Sequence, residues 1–172
     1  MKIEITLNDE RKIRVELYKE FAPATVENFL KLVDMKYFDG ILFHRVINNF
    51  MIQTGGYYID GNQLVQKSDL VQIENIKGEF KANGFMTNTL KHELGTISMA
   101  RTSDMNSASS QFFLCSATTP HLDGSYAAFG KTIDEESNKV ILEISKVPTI
   151  NIGYGFTDFP EEPIIIKSIT RI

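Results

Sequence analysis

Apolar and polar residues alternate from the start of the chain. Ile3, Ile5 and Leu7 alternate with Lys2, Glu4 and Thr6. Beyond Asn8-Asp9-Glu10-Arg11, Ile13, Val15 and Leu17 alternate with Lys12, Arg14 and Glu16. Two half-buried strands joined by a short polar turn predict a β-hairpin. The period then lengthens. Pro23 suits a first helical turn, and Val26, Phe29, Leu30 and Val33 follow at helical spacing, which predicts a helix over 23–35. Strand patterns resume at Ile41–Val46, Phe50–Gln53, Thr96–Arg101, Gln111–Ser116 and Tyr126–Lys131. Asp134–Ser145 reads as a second helix, and Ile164–Ile169 as a last strand after Pro163. Residues 54–94 hold Gly55-Gly56, Gly61, Gly78 and Gly84 with no sustained pattern. A loop that long in a compact domain is either functional or carries short strands of its own. Many short strands with two helices predict a closed barrel or a sandwich with helices packed on its ends.

Strand parity sorts the side chains, because successive residues face opposite ways. With Ile52 in the core, Met51 and Gln53 share the outer face. With Phe112 and Leu114 in the core, Gln111 and Phe113 face out. Ile97 and Met99 inside put Ser98 and Ala100 outside, and Ala127 and Phe129 inside put Tyr126 outside. The outward set is apolar with a few neutral polar groups, which is the composition of a pocket for a peptide or small ligand. The competing reading inverts the parity or buries these strands on both faces.

Composition narrows the function classes. With 172 residues, one domain spanning 1–172 is expected. A net charge of −4 gives no electrostatic footprint for nucleic acid. No apolar run approaches the ~20 residues that span a bilayer, and Met1–Ile5 lacks the apolar stretch of a signal peptide. The one cysteine, Cys115, has no partner for an internal disulfide, so a reducing, cytoplasmic setting is expected. Nothing in the sequence demands an oligomer, and a monomer is expected.

Several ordered motifs resemble the cyclophilins: Phe43-His44-Arg45-Val46-Ile47, Phe50-Met51-Ile52-Gln53, Ser98-Met99-Ala100-Arg101, Ser110-Gln111-Phe112-Phe113-Leu114, and Leu122-Asp123-Gly124 leading to Phe129-Gly130-Lys131. Pro23–Phe29 fits the family's first helix. Ala100-Arg101-Thr102, Tyr126 and the 74–94 stretch look closest to the bacterial branch. The resemblance implies a closed eight-stranded antiparallel β-barrel capped by two α-helices. It implies peptidyl-prolyl cis–trans isomerisation with no cofactor, acting on proline-containing peptides and on flexible or unfolded segments as a folding helper. Arg45 matches the catalytic arginine, and Gln53 the glutamine that steadies it. Phe50, Met51, Phe113 and Leu122 match the pocket for the proline ring. Ala100 and Arg101 match the subsite for the residue before proline, supported by Gln111.

Three departures stand out. His121 occupies the place of a tryptophan in cyclosporin-sensitive members, so weak cyclosporin binding is expected. Tyr126 replaces a histidine found in many eukaryotic members, and both supply a flat wall with a polar tip. Thr54 stands where a glycine is frequent, which puts the following loop in question. His44 and His92 read as structural, and Cys115 as a quiet buried thiol. The histidines and Cys115 show no metal-ligand spacing. Asp134-Glu135-Glu136 needs no more than a helix macrodipole, and Gly55-Gly56 lacks the lysine of a phosphate loop. Two other functions compete with the isomerase. A binding module that holds X–Pro segments without turnover predicts damage to Arg45 or the pocket, and none is visible. A nucleic-acid-binding barrel predicts basic residues interleaved with aromatics, which the charge and the absence of tryptophan oppose.

Overall fold

The computed structural model describes residues 1–172. β1 (Lys2–Leu7) and β2 (Lys12–Leu17) form the expected hairpin, with Ile3 opposite Val15 and Ile5 opposite Ile13, all four fully buried. The strands that follow are β3 (Arg45–Ile47), β4 (Met51–Thr54), β5 (Tyr57–Asp60), β6 (Gln63–Gln66), β7 (Thr96–Met99), β8 (Phe112–Cys115), β9 (Ala128–Thr132), β10 (Thr149–Ile150), β11 (Phe159–Pro160) and β12 (Ile166–Arg171). Eight of them form one antiparallel sheet in the order β12-β1-β2-β9-β7-β8-β4-β3. β5 pairs with β6, and β10 with β11, as separate ribbons.

The expected closed barrel needs correction. The sheet is mainly β and strongly curled, but it is open: no ladder joins its edge strands β12 and β3. The backbone preceding β3 lies across that seam instead. Ile166 N–H donates to the Ile41 carbonyl, Gly40 N–H to the Ile166 carbonyl and Phe43 N–H to the Ile164 carbonyl. Leu42 makes only isolated bridges, to Ile165 and Tyr57, so the segment expected as a strand from Ile41 is regular only from Arg45. Gly40, at φ +82°, supplies the sharp entry.

Two helices complete the fold. α1 (Pro23–Asp34) has no capping side chain at Ala22 and no acidic residue in its first turn. Glu79 caps it from a distant loop, accepting from the Thr25 N–H at 2.6 Å, the Thr25 hydroxyl at 2.7 Å and the Ala24 N–H at 3.3 Å. α2 (Glu135–Ser145) is capped locally: the Asp134 carboxylate accepts from the Ser137 N–H at 2.8 Å, and Glu135 and Glu136 follow in the first turn. Neither helix is long and apolar enough to cross a membrane. Inside the sheet lies a core of 32 buried residues. Phe29 of α1 is its hub, with ring centroids 5.2 Å from Phe38, 5.2 Å from Phe112 and 5.3 Å from Phe129.

Candidate active site

Parity divides β4, β7 and β8 as expected. Ile52, Ile97, Met99, Phe112 and Leu114 belong to the interior core. Met51, Phe113, Cys115 and Leu122 form a separate cluster on the outer face, edged by Ile47, Phe50, Ala100 and Tyr126. This cluster is a floor rather than a deep hole: Met51, Phe113 and Leu122 expose 1, 4 and 7% of their surface. Tyr126 meets Phe113 edge-on at 6.0 Å, and His121 leans on Phe50 with centroids 5.6 Å apart and planes 32° apart.

One cross-strand row brings the expected site residues together. Arg45 on β3 pairs in register with Gln53 on β4, Gln53 with Phe113 on β8, and Phe113 with Ser98 on β7. Residues directly opposite on antiparallel strands share a face. Gln53 therefore stands between the arginine and the apolar floor. Its amide NH₂ donates to Gln111 Oε1 at 3.0 Å, while Arg45 Nη1 donates to Gln53 Oε1 over a long 3.4 Å. No other protein acceptor holds the Arg45 guanidinium, which is exposed and lies 6.0 Å from the centre of the Phe50 ring. A long planar cation with most of its donors free, beside an apolar floor, is suited to an incoming polar group.

The loop after β4 holds Gln111 in place. Gly55 has φ +102°, and a Cβ there would meet the Ser110 carbonyl oxygen at 2.3 Å. A Cβ on Gly56 would meet Gln111 Nε2 at 2.7 Å. The glycine requirement thus falls on 55 and 56, not on 54. Thr54 ends β4, fully buried, with its hydroxyl donating to the Leu42 carbonyl at 2.8 Å.

Arg101 lies beside Ala100, but its donors already have partners. Its Nε and Nη2 donate to the Ser125 carbonyl at 3.2 and 2.7 Å, and Nη1 donates to the Thr102 carbonyl at 2.9 Å. The guanidinium also rests 4.5 Å from the Tyr126 ring centre and 5.0 Å from that of Phe80. The two arginines of the site therefore differ: Arg101 is a fixed wall, Arg45 a free donor.

Beneath the floor is a group that the sequence reading treated only as structural. His92, 1% exposed, lies parallel to Phe113. Its Nδ1–H donates to the Asp123 carboxylate at 2.9 Å, which leaves Nε2 to accept from the Ser98 hydroxyl at 2.9 Å. Burial lowers its pKa, and Asp123 offsets this in part. The ring is therefore neutral at pH 7 and braces the floor from behind. Burial pushes the Cys115 thiol up to about 12, so it stays protonated and unreactive. His44 is also buried, against the Tyr57 ring at 4.7 Å, and is lowered to about 4 by burial and by the neighbouring Arg45 charge.

The family model described as cyclophilin type peptidyl-prolyl cis-trans isomerase matches residues 2–171. The chain belongs to this family. Its curated relatives include peptidyl-prolyl cis-trans isomerase A of Dickeya dadantii, 37% identical over 171 residues, covering 96% of this chain and 77% of the relative. A Streptomyces antibioticus peptidyl-prolyl cis-trans isomerase is 39% identical over 166 residues, covering 91% and 90%. The human peptidyl-prolyl cis-trans isomerase-like 3 is 35% identical over 173 residues, covering 98% and 95%. Among solved structures, a Cryptosporidium parvum cyclophilin superposes with TM-score 0.77 at 26% identity, covering 100% of this chain and 99% of that one; it was determined in the presence of the dipeptide Ala-Pro. The chain is thus a cyclophilin-type peptidyl-prolyl cis–trans isomerase.

Proposed function

We propose that Arg45 and Gln53 carry out the isomerisation on proline segments laid across the outer face of β7, β8, β4 and β3. The X–Pro amide is planar, and its rotation faces a barrier of ~18–20 kcal/mol. No bond breaks. As the amide twists, nitrogen loses conjugation and gains a lone pair, so a donor aimed at it stabilises the transition state more than the ground state. Arg45 is that donor. Gln53 orients it, and Gln111 orients Gln53 in turn. The proline ring rests on Phe113 among Phe50, Met51 and Leu122, which holds one end of the bond while the other turns. Ala100, Arg101 and Tyr126 wall the subsite of the residue before proline.

The observation that carries this reading is the contrast between a free, exposed Arg45 and an Arg101 tied by three hydrogen bonds across the same floor. Peptide exchange with and without the Arg45 guanidinium tests it. Flexible or unfolded protein segments are the substrates such an open surface accepts, which makes the enzyme a folding helper. The lone buried thiol, Cys115, suits a reducing compartment such as the cytoplasm. Cyclosporin binding is weak, because the imidazole of His121 offers less contact area than an indole would.

A further inference from the structure

We propose that the substrate groove continues past Arg45 into an apolar trough that selects a bulky apolar side chain a few residues after proline. This rests on the isomerase reading of Arg45 and extends it. One wall of the trough is the β5–β6 hairpin, which stands outside the main sheet. Its register pairs Tyr57 with Gln66 and Ile59 with Leu64, so these four side chains share one face, and all four line the trough. The opposite wall is the 152–159 segment, with Ile152, Tyr154 and Phe156 at alternate positions. That segment turns tightly: Ile152 N–H donates to the Phe156 carbonyl and Phe156 N–H to the Gly153 carbonyl, both at 3.0 Å. The trough encloses about 900 Å³. Ile59 is 41% exposed, Ile152 39%, and Tyr154 fully exposed. So much apolar surface turned to one groove marks a binding surface.

Continuity names the occupant. A smaller recess of about 240 Å³ lies between the trough and Arg45, lined by His44 and Arg45 on one side and by Tyr57, Tyr154 and Phe156 on the other. The last three also line the trough. Val46 N–H donates to the Asp158 carbonyl at 2.9 Å, fixing this wall to the strand that carries Arg45. The strand order β7-β8-β4-β3 sets the direction. With the residue before proline at Ala100 and the ring on Phe113, the chain leaves over Arg45 and meets the recess next. Two strand spacings of ~4.8 Å separate β8 from β3, and an extended chain advances ~3.3 Å per residue. β3 is therefore reached about three residues beyond proline, and the trough, across the recess, just after that. No cation and no other acidic group than Asp69 lines it, so the side chain selected is apolar or aromatic.

The test is an NMR exchange series on peptides with a single Ala-Pro bond and alanine elsewhere, with phenylalanine moved through the second to fifth positions after proline. Phenylalanine at one of these positions is expected to raise kcat/KM about tenfold through KM. Ile152→Ser and Leu64→Ser should each abolish that gain. Exchange on the short Ala-Pro peptide reads the Arg45 site independently. Equal rates across the series with that exchange intact overturn the trough alone, as does a preference that survives both substitutions. Loss of exchange on every peptide overturns the isomerase reading and the trough with it.

Discussion

His92 lies face to face with Phe113, ring centroids 6.0 Å apart and planes within 18°. The neutral imidazole bridges Asp123 and Ser98, so the orientation of the floor is set by a hydrogen-bonded chain below it. His92→Ala removes the stacked ring and leaves the buried Ser98 hydroxyl without its acceptor, while Asp123 keeps only the backbone N–H of residue 92. The expected cost is about 2–4 kcal/mol in urea unfolding, with KM for an Ala-Pro peptide rising more than kcat falls. Unchanged stability and KM would show that the floor does not depend on His92.

Glu79 substitutes for a local cap at the start of α1. Its carboxylate accepts from three donors there, two of them backbone N–H groups. Glu79→Ala leaves those donors unpaired beside the positive end of the helix. The expected loss is about 1–3 kcal/mol by urea or thermal unfolding. A change under a few tenths would mean that water replaces the carboxylate without cost.

These two contacts also show where sequence reading stops. Period-two alternation sorted Met51 from Ile52 and Phe113 from Phe112, because each strand there has a core on one side and a second apolar floor on the other. The acidic start of α2 was legible as a macrodipole match, although Asp134 itself is the cap rather than the first helical residue. Glu79 was not, since its partners lie 54 and 55 residues away and no periodicity links them. His92 carried no signal of its own either: one histidine reads the same whether it fills space or braces a ring. The edges of strands were misjudged where backbone leaves the ladder. Tyr126 precedes β9 because the β7–β9 pairing is bulged between Ile97 and Ser98. The last strand runs Ile166–Arg171 rather than from Ile164, because Ile164 and Ile165 are taken up by the seam. The β5–β6 hairpin lay in the unread 54–94 stretch, although Gly61-Asn62 between alternating residues is a two-residue turn signal.

His44 makes stability depend on pH. Its folded pKa, about 4, lies below the ordinary value of 6.5. Above pH 6.5 both states are neutral and it contributes no pH dependence. Between 6.5 and about 4 the unfolded chain takes up a proton that the folded one refuses, so stability falls as pH falls, by about 3 kcal/mol in all. Urea unfolding at pH 7 and pH 4.5, with wild type beside His44→Phe, isolates this share from the carboxylates. The variant should lose less stability on acidification. Parallel losses would remove His44 from the account.

His121 is exposed and leans on Phe50 at the edge of the floor. His121→Trp enlarges the contact face and supplies an indole N–H. Cyclosporin affinity, read by calorimetry or by tryptophan fluorescence of the variant against a calorimetric wild type, should rise at least about tenfold, with Ala-Pro turnover little changed. An unchanged dissociation constant would show that another feature limits cyclosporin.

The most direct test of Arg45 is two-dimensional NMR exchange on a short Ala-Pro peptide, with wild type and Arg45→Ala side by side. The measurement sees cis–trans interconversion itself and needs no coupling protease. Wild type should accelerate exchange, and the variant should lose at least about a hundredfold of that rate while its circular dichroism stays native, since Arg45 is exposed and joined to the protein only through Gln53. Near-full exchange by a folded Arg45→Ala enzyme would contradict the assignment of the catalytic donor.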